Sequence, residues 1–162
     1  MRYMRQFNDY IDNLCREHRL IRHSDEACHY SDMTSDFENK LKRKMNYPCV
    51  SLDTDGFTIE DFSGSKYKRE HFNLYFLEHV RDAGNYDEIV KVFNKTCVIM
   101  DDFLRRMERD RKALVDPLTH FEIAGSEGTR IEFREAALYG WCISVLVPTP
   151  FIDILCNENF KS

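Results

Sequence analysis

LYGWCISVLVPTPF, Leu138 to Phe151, is the stretch on which the fold turns. Successive side chains of a strand point to opposite faces, so a strand lying beside water alternates apolar with polar residues. Here Trp141, Ile143, Val145 and Val147 share one face, while Cys142 and Leu146 leave Ser144 as the clearly polar residue on the other. Such a strand is expected to be covered on both sides.

Working outward, REHFNLYFLEHV (69–80) alternates in the same way and predicts a strand with Phe72, Leu74 and Phe76 on one face and His71, Asn73 and Tyr75 on the other. Between these two strands lies the longest periodic segment, NYDEIVKVFNKTCVIMDDFLRRMERDRKA. Ile89, Val92, Phe93, Thr96, Cys97, Met100, Phe103, Leu104 and Met107 form one helical stripe, with Asn85 as N-cap, Asp87 and Glu88 at the positive end of the helix dipole, and bases in the last turns. LTHFEIAGSEGTRIEFRE then predicts two further strands or a bent hairpin around Gly125 and Gly128.

Toward the amino terminus, YPCVSLDTDGFTIEDF predicts two short strands that reverse at Asp55-Gly56, followed by a polar loop, SGSKYK. A capping-box pattern, Ser35 with Glu38, opens a short helix through Met45, and residues 24–34 form a loop. From Tyr3 to about His23 the apolar positions Tyr3, Phe7, Tyr10, Ile11, Leu14 and Ile21 keep the helical period. The order predicts an α+β fold: a single mostly antiparallel sheet of about five or six strands, with one long and one or two shorter helices packed on it.

A chain of 162 residues suits one domain, 1–162, and its 43% hydrophobic and 31% charged residues suit a packed one. Net charge of −5 gives no general attraction to phosphate backbones or anionic lipid, so neither nucleic acid nor membrane is an expected partner. The basic runs KLKRK and RRMERDRK are expected on solvated faces. The amino terminus has no signal-peptide pattern and no window approaches the roughly twenty apolar residues that span a bilayer, which predicts synthesis in the cytosol. The six cysteines lack framework spacing and are expected to be reduced, mostly buried thiols.

Candidate chemistry concentrates in Cys15, His18, His23, Cys28 and His29, since thiolate and imidazole are zinc-ligand types and Cys15 and His18 share a helix face. Their spacing does not follow a zinc finger, and the plainer expectation is a helix end whose histidines face water. Asp53 to Gly56 resembles the start of a calcium loop without its later ligands, so a turn is expected there. Asp101 and Asp102 diverge around the helix, and no nucleophile elbow or phosphate loop occurs. The chain is therefore expected not to be an enzyme and to use no cofactor.

One long helix covers one sheet face, which leaves apolar residues on the other and, past the prolines, an extended carboxy-terminal segment at 148–162. Exposed apolar patches mark contact with another protein. The predicted contact residues are Tyr139, Trp141, Ile143, Val145 and Phe151. The element order, with a helix leading into KMNYPCVSLD, the aromatic strand, the long helix with its basic end, and a terminal hairpin carrying ALYGWCISVLVPTPF, resembles the tail-terminator and tail-completion (neck) proteins of phages and prophages. NYP and LYGW are its local marks. The resemblance implies a structural assembly protein that forms rings with itself and docks onto other phage structural proteins, found in the bacterial cytoplasm during assembly and then in the virion. The alternative is a small cytosolic binding module, with the amino-terminal Cys/His cluster as its candidate metal site.

Overall fold

The computed structural model describes residues 2–32, 45–62, 65–119, 121 and 126–150. In chain order these form α1 (Arg2–Glu17), β1 (Tyr30–Asp32), β2 (Cys49–Phe62), β3 (Ser65–His79), α2 (Tyr86–Lys112), β4 (Gly128–Phe133), a 3-10 turn (Arg134–Ala136) and β5 (Leu138–Pro150). The five strands make one sheet in the order β1-β2-β3-β5-β4, with β1 parallel to β2 and the other pairs antiparallel. This is the expected α+β fold with a mostly antiparallel sheet.

The alternation in β3 and β5 places their apolar residues on the same face. Phe76 pairs with Trp141, Leu74 with Ile143 and Phe72 with Val145, and on the other side Val50 and Leu52 of β2 pair with Phe76 and Leu74. Both helices lie on this face. From α2, Ile99, Met100, Phe103 and Met107 join these strand residues in one core, and from α1 come Phe7, Ile11, Leu14 and Cys15. Phe7 and Phe72 meet with ring centroids 4.5 Å apart, and Phe76 and Phe103 at 5.2 Å. Burying each such aromatic contributes roughly 1.5–3 kcal/mol.

α2 begins as its sequence dictates. The Asn85 side chain accepts the Glu88 N–H, and the Glu88 carboxylate in turn accepts the N–H groups of Arg81 and Asp82, so the first turn is capped and tied to the end of β3. At about 1.5 Å per residue, a helix of 27 residues reaches roughly 40 Å.

Several expectations need correction. α1 ends at Glu17 and not near His23. The chain turns through left-handed Arg22 (φ 54°), and the His23 N–H reaches the Cys15 carbonyl at 3.1 Å. Ile21 is nonetheless fully buried, so an apolar residue at helical spacing is delivered to the core by a turn. Asp55-Gly56 does not reverse the chain: β2 runs on to Phe62, and a register shift between Thr54 and Gly56 marks a bulge. A glycine with φ 126° serves a bulge as well as it serves a hairpin turn. The SGSKYK loop is accordingly shorter, since Ser65 to Lys68 belong to β3. Within the expected 24–34 loop, Tyr30–Asp32 form a parallel strand against Val50–Leu52. Between α2 and β5 the described residues hold a single strand, β4, joined to β5 by the 3-10 turn and left-handed Ala137. Of the predicted short helix, residues 35–44 lie outside the described residues and Met45 is not helical; the segment beyond Pro150 also lies outside them.

The face away from the helices is covered only in part. Cys49, Leu77 and Leu138 are buried there in a second cluster with Met45, Tyr47, Tyr75, Ile131, Phe133 and Ala136. Farther along, the face turns polar: Ser51 donates to the Ser31 carbonyl and Ser144 to Asn73 Oδ1 at 2.6 Å. Gly140 lies between these regions, and a Cβ there would sit 1.8 Å from the Phe76 carbonyl oxygen. Gly140→Ala is therefore expected to destabilise the chain by more than about 3 kcal/mol, because the obstacle is backbone that cannot rotate away. Urea denaturation measures this; a loss below 1 kcal/mol would mean that β3 and β5 are not so closely apposed.

Candidate functional site

Three regions carry candidate chemistry: the amino-terminal Cys/His segment, a cleft between the helices, and the distal part of the β2–β3 hairpin. In the first, the five predicted ligands do not converge. Cys15 is buried in the core, where burial pushes its thiol well above the ordinary value. Cys28 Sγ lies 3.3 Å from the Tyr30 carbonyl and 3.7 Å from Met45 Sδ. His23 faces Asp12 at 3.0 Å, and His29 Nδ1 is 2.8 Å from the Pro48 carbonyl. Among the described residues no three His, Cys, Asp or Glu side chains group as a metal site. The described cysteines are free, as expected, but only Cys15 and Cys49 are fully buried; Cys28, Cys97 and Cys142 are half-buried.

His18 goes instead to a cleft of about 440 Å³ between the end of α1 and the middle of α2, lined by Leu14, Glu17, Arg19, Leu20, Phe103 and Arg106 among others. Its Nε2 is 3.5 Å from Asp102 Oδ2, and its Nδ1 accepts the Leu20 N–H at 3.3 Å. With one nitrogen engaged by the backbone and the other facing a carboxylate, the His18 ring has no free lone pair to act as a general base. Leu14 and Phe103 floor the cleft, and Leu20 is 47% exposed at its rim.

Beneath the cleft the two helices are joined by a polar network. Tyr10 donates to Asp110 at 2.9 Å, and Arg106 bridges Asp110 at 2.8 Å and Glu17 at 2.7 Å. Burial pushes the Asp110 carboxyl up, but hydrogen bonds from Arg106 and Tyr10 and the charges of Arg106 and Arg109 outweigh it and hold the group below its ordinary value. RRMERDRK is thus largely neutralised by acids of its own helix, through Arg111 and Lys112 on Glu108 as well.

The predicted contact residues need the largest correction. Tyr139, Ile143 and Val145 are at most 4% exposed. They face the chain's own helices, since their parity on β5 is that of the helix-covered side. Trp141 is half-buried, donates its Nε1–H to the Phe93 carbonyl at 3.0 Å and packs on the Phe93 ring. Arg130 stacks over both rings. Phe151 lies outside the described residues.

Among the described residues the exposed large apolar side chains lie elsewhere: Met4 and Leu20 on and just after α1, Tyr86, Val98, Leu114 and Val115 on and just after α2, and Phe57 and Ile59 as a pair on the β2–β3 arm. Beyond the Gly56 bulge, Phe57 pairs with Glu70 and Ile59 with Lys68. Phe57 and Ile59 are 56% and 51% exposed on one face. Lys68 Nζ sits 4.4 Å from the Phe57 ring centroid and 2.7 Å from Glu70 Oε1. Glu70 is only 6% exposed, and among the described residues its Oε2 has no hydrogen-bond partner. A buried acceptor left unmet costs about 1–3 kcal/mol, so this is a place where a bound group would be stabilised. The signal was present in GFTIEDF, whose alternation resumes after the glycine, but reading Gly56 as the reversal hid it.

No family model matches the chain, and no curated protein matches it. Among the described residues no helix is long and apolar enough to cross a membrane.

For the network, Tyr10→Phe is expected to lower stability by about 1–3 kcal/mol, since it removes a hydrogen bond to a buried carboxylate. Because the folded Asp110 titrates below its ordinary 3.8, its contribution is complete above that pH and is lost as pH falls through the lowered value. Acid denaturation of Asp110→Asn beside the native chain checks this: the variant should lack that component of the decline.

Proposed function

We propose that the protein is a non-enzymatic assembly protein that associates with further copies of itself through the β2–β3 arm. The observation that carries this reading is the pair Phe57 and Ile59, large apolar side chains more than half exposed on one face beside a buried acceptor that has no partner among the described residues. A second copy suits the arm electrostatically. Between Phe57 and Glu70 three acids, Glu60, Asp61 and Glu70, meet three bases, Lys66, Lys68 and Arg69, so the arm is neutral on a chain of net charge −5. Approach of another copy is least opposed there. Among the described residues, β1 pairs with β2 only from Val50 to Leu52 and β4 with β5 only from Leu138 to Ile143. The distal strands thus carry two opposite edges. Joining one edge to the other on the next copy is a head-to-tail contact, which closes into a ring when the rotation permits.

The resemblance of the element order to tail-terminator and tail-completion proteins is what supports siting this assembly in a phage or prophage tail or neck, docked onto other virion proteins. The cleft beside His18 favours a second reading, a binding module for a small ligand or short peptide.

Sedimentation of the native chain over a range of concentrations should give a mass above the monomer, and Phe57→Ser/Ile59→Ser should return it to the monomer with little change in melting temperature. A native chain that stays monomeric at every concentration would remove this reading and leave the cleft as the site to pursue.

A further inference from the structure

His23 is wired differently from a metal ligand or a solvated surface histidine. Its side chain is 10% exposed and lies between α1 and the turn that follows it. Nε2 is 3.0 Å from Asp12 Oδ1, and Nδ1 accepts the backbone N–H of His29 at 3.0 Å. An amide N–H can only donate, so Nδ1 must carry its lone pair and the ring proton must sit on Nε2, facing the carboxylate. A second proton, at Nδ1, would set two donors against each other.

His29 in turn anchors the sheet edge. Its carbonyl accepts the Val50 N–H at 2.9 Å, and its ring Nδ1 lies 2.8 Å from the Pro48 carbonyl. The next residue begins β1, which is held to β2 by only three residue pairs. Farther along, β1 is also held by Tyr30, buried against α1 with its hydroxyl at Asn8, and by Ser51 donating to the Ser31 carbonyl, so loss of the His29 N–H contact loosens the near end of the strand, where His29 meets Val50.

We infer that His23 is a proton-operated latch: its neutral imidazole holds His29 and the edge strand β1 on the sheet, and a proton at Nδ1 releases them.

The groups facing His23 set the direction. From α1 come Asp12 and Arg16, the latter paired with both Asp12 and Asp25. From its own segment come the His29 ring and the Ala27 carbonyl, and from β1 the edge-on Tyr30 ring at 6.0 Å. Burial is the largest influence and disfavours the cation, helped by Arg16 and His29; Asp12 and the Ala27 carbonyl oppose it, and the balance lowers the value from 6.5. The released form, with the ordinary value, binds more protons. The latch is therefore at full strength well above pH 6.5, weakens as pH falls through it, and stops weakening below the closed-state value.

Nuclear magnetic resonance of the full chain tests this with two readings. At pH 7.5 the imidazole nitrogen shifts should report the Nε2–H tautomer of His23. Between pH 7.5 and 5, amide protection factors at His29 and in β1 should fall, by up to about tenfold per pH unit for a single linked proton, while Ile99 and Phe103 in α2 hold theirs. His23→Asn keeps an acceptor near the Nδ1 position and cannot titrate, so its His29 protection should not change with pH. An Nδ1–H tautomer, protection independent of pH in the native chain, or the same fall in His23→Asn would overturn the latch. Should His23→Asn fail to fold, the two readings on the native chain decide.

Discussion

The ladder between β3 and β5 is the constraint from which the rest of the molecule follows. It runs unbroken from Tyr67 opposite Pro150 to His79 opposite Leu138. A slip of one residue would turn Trp141, Ile143, Val145 and Val147 away from the helices and present Gly140, Cys142, Ser144 and Leu146 in their place. The observed register lays three continuous apolar rows across the strands, Val50-Phe76-Trp141, Leu52-Leu74-Ile143 and Thr54-Phe72-Val145, with only Thr54 breaking the pattern. Those rows are what the stripe of α2 and the buried face of α1 pack against. The register also fixes Gly140 against the Phe76 backbone, where no side chain fits.

Strand length then decides where shielding stops. β2 and β3 have 14 and 15 residues, whereas β1 has three and β4 six. Neighbours therefore flank the sheet at its β1 and β4 end and, among the described residues, leave the hairpin beyond Gly56 with shorter company. The bulge lets β2 continue in a new register, so Phe57 and Ile59 stay on the helix side while lying past the residues that the helices bury. Exposure there is a consequence of geometry, since the same residue types at Leu52 and Phe72 are buried.

The alternation of β3, the stripe and N-cap of α2, and the fold class were legible because each depends on local periodicity and one capping interaction. What was not legible depended on contacts distant in sequence. Parity alone showed that Trp141, Ile143 and Val145 share a face, but it could not say that α2 would cover that face and not the other. Gly56 permits both a turn and a bulge, and the choice is made by the pairing of Phe57 with Glu70. β1 has three residues and no periodicity of its own; it is a strand because Val50 to Leu52 offer an edge. The histidines looked like ligands because residue type is visible in a sequence and hydrogen-bond direction is not.

β2 connects the two features that have not been absorbed into the core. Near its start, Val50 takes part in the anchoring of His29, and past its bulge Phe57 stands over Lys68 and beside Glu70. The polar groups at the first end are satisfied, with both nitrogens of His23 and the backbone of His29 engaged. At the second, an acceptor is buried with no donor among the described residues. A protein interior tolerates such an atom only where the surrounding packing outweighs its cost, and a surface that gains a donor on contact recovers that cost as binding energy. On the proposed latch, proton uptake at His23 would act on the same strand, lengthening the β2 edge that is unpaired among the described residues from Asp53 back to Val50 and so tying the edge open to a further strand to an imidazole at the far end from the arm.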